Sequence, residues 1–249
     1  MKTILITGAT SGIGKATAEL LAKQGNRIII CGRRSEVLES VKAELSRFTE
    51  IFSLKFDVRN LEEVETAINS LPDNWRDIDV LINNAGNAHG LDPLSGGKTD
   101  DWDSMIDGNI KGLLYVSKMI IPTMKTKKLG HIVNISSVAA RQTYINGVVY
   151  CATKKAVDVI SEGMRLELTE FGIKLTNIQP GAVETDFSLV RFKGDSEKAS
   201  TVYAGYEALK AEDIADAIAY CVNAPKHVTI SDLTIYPSAQ AEPRTIYRK

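Results

Sequence analysis

The sequence predicts an α/β fold, a doubly wound parallel sheet of seven strands with helices on both faces. Short apolar runs alternate with stretches of helical period along the chain, and such alternation implies right-handed crossovers between parallel strands. Runs such as VLIN and HIVNIS are apolar enough to be covered on both sides. A glycine-rich bend follows the first run and opens the first helical stretch.

Strands are expected at about 3–7, 27–32, 51–57, 78–83, 131–136, 173–179 and 232–236. Helices are expected at about 12–24, 35–47, 61–70, 101–125, 149–171 and 212–223. The first strand is KTILITG, and the helix after it carries Ile13, Ala16, Leu20 and Leu21 at helical spacing. The helix at 149–171 places Val157, Ile160, Met164 and Leu168 on one face, to be buried against the sheet or against another subunit. The expected strand order is 3-2-1-4-5-6-7, a Rossmann-type sheet in one domain spanning 1–249. Ligand then binds outside the strands' carboxyl ends, near Gly8, Asp57, Asn83 and Ser137. Residues 184–206 lack a clear strand and have poor helical period, and they begin beside that edge, so they are expected to form a mobile substrate lid in which short helices can occur.

Gly8, Gly12 and Gly14 suit a tight turn, a close backbone approach to phosphate and close helix packing. The following helix start offers free N–H groups to a pyrophosphate. A Walker A loop is excluded, because Ala9 and Ala16 stand where it needs glycine and a hydroxyl. The second strand, RIIICG, ends where an acidic residue would grip a ribose 2′-hydroxyl, yet Gly32, Arg33 and Arg34 stand there. Two cations and no carboxylate suit a 2′-phosphate, hence NADP(H); the plain alternative is a pair of solvated loop arginines.

At 249 residues and a formal charge of −1, the chain suits one large domain without a nucleic-acid footprint. No apolar run is long enough to span a membrane, and the first strand leaves no room for a signal peptide. Three separated cysteines imply no disulfide framework, so a cytoplasmic location is expected. His89, His131 and His227 show no metal-ligand spacing, and no metal is expected.

Tyr150 and Lys154 lie one helical turn apart and share a face. A cation beside a phenol favours phenolate, so the pair is expected to bring the tyrosine pKa down toward a usable general acid or base.

Together, Thr7-Gly8-x-x-x-Gly12-x-Gly14, Asp57-Val58, Asn83-Asn84-Ala85-Gly86, Asn109, Ser137, Tyr150-x-x-x-Lys154 and Pro180-Gly181 resemble the short-chain dehydrogenases/reductases over the whole chain. Ser137 is preferred to Ser136 because it precedes Tyr150 by thirteen residues (150 − 137), the family spacing. The stretches LPDNWRDIDVLINNAGNAHGLDP, VETDFSLVRFKGD and PKHVTISDLTIYPSAQ are similar to the NADP-dependent serine and 3-hydroxy acid dehydrogenases of bacteria and yeast.

The resemblance implies a catalytic set of Asn109, Ser137, Tyr150 and Lys154. Tyr150 would exchange the proton, Lys154 would hold the nicotinamide ribose, Ser137 would fix the substrate oxygen, and Asn109 would bind a water linked to Lys154. It implies cofactor contacts from Gly8, Thr10, Ser11, Gly12, Ile13, Gly14, Arg33, Arg34, Asp57, Val58, Asn84, Ala85, Gly86, Tyr150, Lys154, Pro180, Gly181, Val183 and Thr185. It also implies a homotetramer, with a dimer as the alternative.

The expected substrate is a small 3-hydroxy acid or amino acid such as serine or 3-hydroxypropionate. A carboxylate needs a cation near Ser137 and Tyr150; Arg141 is the first candidate and Arg191, in the lid, the second. A broader carbonyl or 3-oxoacyl reductase is the alternative within the family. An NADP(H)-sensing regulatory protein is the non-enzyme alternative, disfavoured because Tyr150 and Lys154 are both present.

Overall fold

The computed structural model describes residues 1–249. Its strands are β1 (Thr3–Thr7), β2 (Arg27–Gly32), β3 (Ile51–Lys55), β4 (Val80–Asn83), β5 (Gly130–Ile135), β6 (Ile173–Pro180) and β7 (Asp232–Ile235). They form one parallel sheet in the order β3-β2-β1-β4-β5-β6-β7, as expected from the sequence. The helices are α1 (Gly12–Lys23), α2 (Ser35–Leu45), α3 (Leu61–Asn69), α4 (Thr99–Ile106), α5 (Gly112–Lys127), α6 (Val148–Leu168), α7 (Phe187–Arg191), α8 (Ser196–Thr201) and α9 (Ala211–Asn223).

The sheet is buried on both faces, and the two-residue period of its strands divides the core. Ile4, Ile6, Ile28 and Ile30 face α1, α2 and α9, packing with Leu21, Leu38 and Ile218. Leu5, Ile29, Leu81 and Ile132 face the other way, toward α3, α5 and the end of α6, with Val64, Val116 and Leu168. Each such side chain contributes roughly 1.5–3 kcal/mol of burial. Val157 and Leu168 on α6 are buried within the single chain, so that face belongs to the core.

Two elements depart from expectation. The helix foreseen at 101–125 is broken, because residues Asp107–Lys111 form a widened π-type turn between α4 and α5. Such turns insert one residue into the helical ladder and re-aim what they carry, here Asn109. The third strand stops at Lys55, which leaves Asp57 in a loop. Within residues 184–206 the two short helices are α7 and α8, a possibility the sequence left open.

Candidate active site

At the end of β1 the chain turns through Gly8 (φ 65°) and Gly12 (φ 51°), both left-handed and therefore suited to glycine. Ser11 precedes α1 in extended conformation, but its side chain caps no amide, so the first-turn N–H groups remain available to an anion. Gly14 does not line the cleft. A methyl there would collide with the Gly8 carbonyl and the Asn84 amide, so this glycine permits packing rather than contact. Asn84 Nδ2 donates to the carbonyls of Thr7 (2.9 Å) and Gly8 (3.1 Å). Thr7 Oγ1 accepts from the amides of Asn84 (3.1 Å) and Ala85 (3.0 Å). The Asn-Asn-Ala-Gly segment thus braces the turn to β4. Asn83 instead points inward, donating to Ser117 and Asn134 at 2.9 Å each.

A cleft of about 440 Å³ runs along the carboxyl edge of the sheet from this turn to Tyr150 and Lys154. Of the residues expected to contact cofactor, all but Gly14 line it. At its far end Arg33 and Arg34 follow β2, and Arg34 donates to Thr10 Oγ1 at 3.2 Å. A glycine cradle at one end, two cations beside it and a phenol at the other fit a phosphorylated dinucleotide. Arg59, Asn87, Asp186, Phe187 and Val190 also line the cleft and were not foreseen. No group of three or more His, Cys, Asp or Glu side chains is placed to hold a metal ion.

Ser137, Tyr150 and Lys154 meet at the cleft's inner end. Ser137 caps the turn Val138–Ala140, its Oγ accepting the Ala139 amide at 3.1 Å. Lys154 is 6% exposed, and its ammonium donates to the Ile135 carbonyl at 3.0 Å while lying 6.0 Å from the Tyr150 ring centroid. Burial lowers the Lys154 pKa to about 8, against the opposing charge of Asp158. Burial also pushes the Tyr150 phenol well above its ordinary value, and the Tyr144 phenol adds to the rise; Arg191 and Ser137 oppose it. The expected lowering of the tyrosine by Lys154 is therefore not what this pocket shows. Desolvation of both groups outweighs a cation whose own charge is disfavoured.

Asn109 lies behind the cleft, 2% exposed. Its Oδ1 accepts from the Asn87 amide (2.8 Å), and its Nδ2 donates to Asn87 O (2.9 Å) and Thr153 Oγ1 (3.0 Å). Thr153 in turn donates to the Tyr150 carbonyl at 2.8 Å, so this amide is committed to holding α6.

Asp158, one turn beyond Lys154, accepts hydrogen bonds from Ser136 (2.7 Å), Asn177 (2.8 Å) and Gln179 (3.1 Å). One carboxylate thereby ties the catalytic helix to the ends of β5 and β6, beside Ser137 and Pro180.

The two candidate substrate cations separate. Neither is among the residues that line the cleft. Arg141 is exposed and donates to Thr234 Oγ1 (3.1 Å) and Gln179 Oε1 (3.4 Å) near β7. Arg191, at the end of α7, lies across Tyr150, its guanidinium carbon 4.8 Å from the ring centroid. Its NH2 donates to the Tyr144 hydroxyl at 2.9 Å, and its buried Nε has no partner. Tyr144 lies between Ser137 and Tyr150 in the chain, but no spacing in the sequence marks it.

A family model described as "short chain dehydrogenase" matches residues 2–195. The chain belongs to the short-chain dehydrogenases. Over 239 residues it is 42% identical to the NADP-dependent 3-hydroxy acid dehydrogenase YdfG of Salmonella typhi, covering 96% of each chain. The NADP-dependent 3-hydroxy acid dehydrogenase of Schizosaccharomyces pombe is 41% identical, with 100% of this chain and 97% of that one covered. The serine 3-dehydrogenase of Agrobacterium fabrum is 43% identical over 96% of this chain and 95% of that one. Among solved structures, the closed form of a serine dehydrogenase complexed with NADP+ superposes with a TM-score of 0.93 at 40% identity, covering 99% and 100% of the two chains. This short-chain dehydrogenase is an NADP-dependent oxidoreductase acting on CH–OH groups. No helix is long and apolar enough to cross a membrane.

Proposed function

We propose that the enzyme interconverts a small 3-hydroxy acid, serine or 3-hydroxypropionate among them, with its 3-oxo form, using Tyr150 as general acid/base. The observation that carries this reading is Arg191, a half-buried arginine whose guanidinium lies against the ring of Tyr150 and whose buried Nε has no partner. A fork-shaped cation at that place suits a substrate carboxylate a few atoms from the reacting carbon. Relatives at 41–43% identity carry names with the same substrate class.

In the reductive direction Tyr150 donates its proton to the carbonyl oxygen, and its raised pKa keeps it protonated at neutral pH. Ser137 holds that oxygen, Lys154 grips the nicotinamide ribose, and Asn109 fixes the start of α6 through Thr153. Bound in the cleft, NADP(H) supplies or accepts the hydride. Arg33 and Arg34 take the 2′-phosphate. Residues 184–206 act as a substrate lid. Copies associate through α5 and α6, where Leu114, Val159 and Leu166 remain 39%, 60% and 78% exposed.

The test is a panel of 3-hydroxy acids and size-matched neutral secondary alcohols, each with NADP+ and NAD+. A charge-assisted anchor worth ~2–3 kcal/mol favours the acids by roughly 30- to 150-fold in kcat/KM. Equal turnover of neutral alcohols would instead favour a broad carbonyl reductase.

A further inference from the structure

The loop after β3 carries a charge arrangement that a plain phosphate grip does not require. Asp57 shares the cleft wall with Arg33 and Arg34, and its Oδ2 lies 3.7 Å from Arg33 NH1. An unpaired carboxylate there would repel a phosphate and compete with it for Arg33. Arg59 closes on it instead. Its Nε is 3.0 Å from both carboxylate oxygens, its NH2 is 2.6 Å from Oδ2, and its backbone amide donates to Oδ1 at 3.0 Å. This is the fork geometry of a guanidinium, which a lysine cannot reproduce. Burial opposes ionisation of Asp57, yet the Arg59 hydrogen bonds hold its carboxyl below the usual range. Asp57 is thus charged and already occupied.

We propose that Arg59 is a positioning residue for cofactor selectivity: by engaging Asp57 it leaves Arg33 free to meet the 2′-phosphate. The inference rests on Arg33 and Arg34 receiving that phosphate. Arg59 acts on the nucleotide through Asp57, so its removal penalises the phosphorylated cofactor and spares the unphosphorylated one.

The experiment titrates cofactor-free protein calorimetrically with adenosine 2′,5′-bisphosphate and with AMP, which differs from it only in lacking the 2′-phosphate. Arg59→Leu is expected to weaken the bisphosphate about tenfold while AMP stays within about twofold, an effect that shrinks at high salt. Adding Asp57→Asn to Arg59→Leu should return the ratio of the two affinities toward the wild-type value, because the charge that Arg59 masks is gone. An unchanged ratio in Arg59→Leu overturns the proposal, as does an equal loss for both ligands. A ratio that stays low in the double variant also overturns it, by showing direct contact between Arg59 and phosphate. Wild-type protein with no preference for the bisphosphate would instead refute the assignment of Arg33 and Arg34, and the inference with it.

Discussion

Arg191 covers one face of Tyr150, 4.8 Å from the ring centroid, and is held there by the Tyr144 hydroxyl at 2.9 Å. It also lies 5.5 Å from the Phe187 ring, which itself packs at 5.7 Å against Tyr150. A cation enclosed by aromatic faces is partly desolvated, which strengthens its pairing with an incoming anion. Arg191→Leu is expected to raise KM for a 3-hydroxy acid about tenfold or more and to leave KM for a neutral secondary alcohol nearly unchanged. Arg191→Lys should recover little, lacking the fork. Arg141→Ala, remote and exposed, should shift KM by no more than about twofold. Steady-state kinetics on the three variants decides between the two cations.

Lys154 is expected to cost stability for the sake of activity. Its folded pKa of about 8 lies below the ordinary lysine value of 10.5, so between these values the unfolded chain binds the extra proton. Stability therefore rises with pH across that window, and the penalty of burying the charge is fully present below about 8. Lys154→Met removes a penalty of ~3 kcal/mol but also loses the bond to Ile135. The variant should gain stability relative to wild type at pH 7 and lose that advantage toward pH 10.5, while its turnover collapses. Urea unfolding of both proteins across that range measures the difference; a pH-independent difference would refute it.

Asp158→Leu should lower stability by ~3 kcal/mol or more, because Ser136, Asn177 and Gln179 would all lose a buried acceptor. Urea midpoints provide the check, and a loss under ~1 kcal/mol would show that water replaces the carboxylate.

The segment 184–206 is tied down by Lys193, which bonds Asp101 on α4 at 2.8 Å. Exposed pairs of this kind contribute only ~0–1 kcal/mol. Lys193→Ala should accelerate proteolysis within 184–206 a few-fold, and saturating NADP+ should slow it in both proteins. Identical cleavage with and without nucleotide would remove the lid role.

The parallel sheet was legible because its central strands β1, β4 and β5 are buried on both faces and read as apolar runs, and the phosphate turn because Gly8 and Gly12 occupy backbone conformations that other residues resist. The break in the helix at 101–125 was not, since Asp107–Lys111 keep helical period while one extra residue slips into the ladder. Nor was the choice between the arginines. Arg141 is close to Ser137 along the chain, but the turn Val138–Ala140 directs it to Thr234. Arg191 reaches Tyr150 only through the packing of α7. The direction of the tyrosine shift is hidden for a related reason: proximity of a lysine is visible in the spacing, whereas the depth at which both groups lie is not.

The contact of Gly14 with Gly8 and Asn84 locks β1, α1 and the start of the next loop into one rigid block. The phosphate end of a nucleotide arriving here meets a finished mould, so the chain entropy lost on docking should fall on residues 184–206 rather than on this turn.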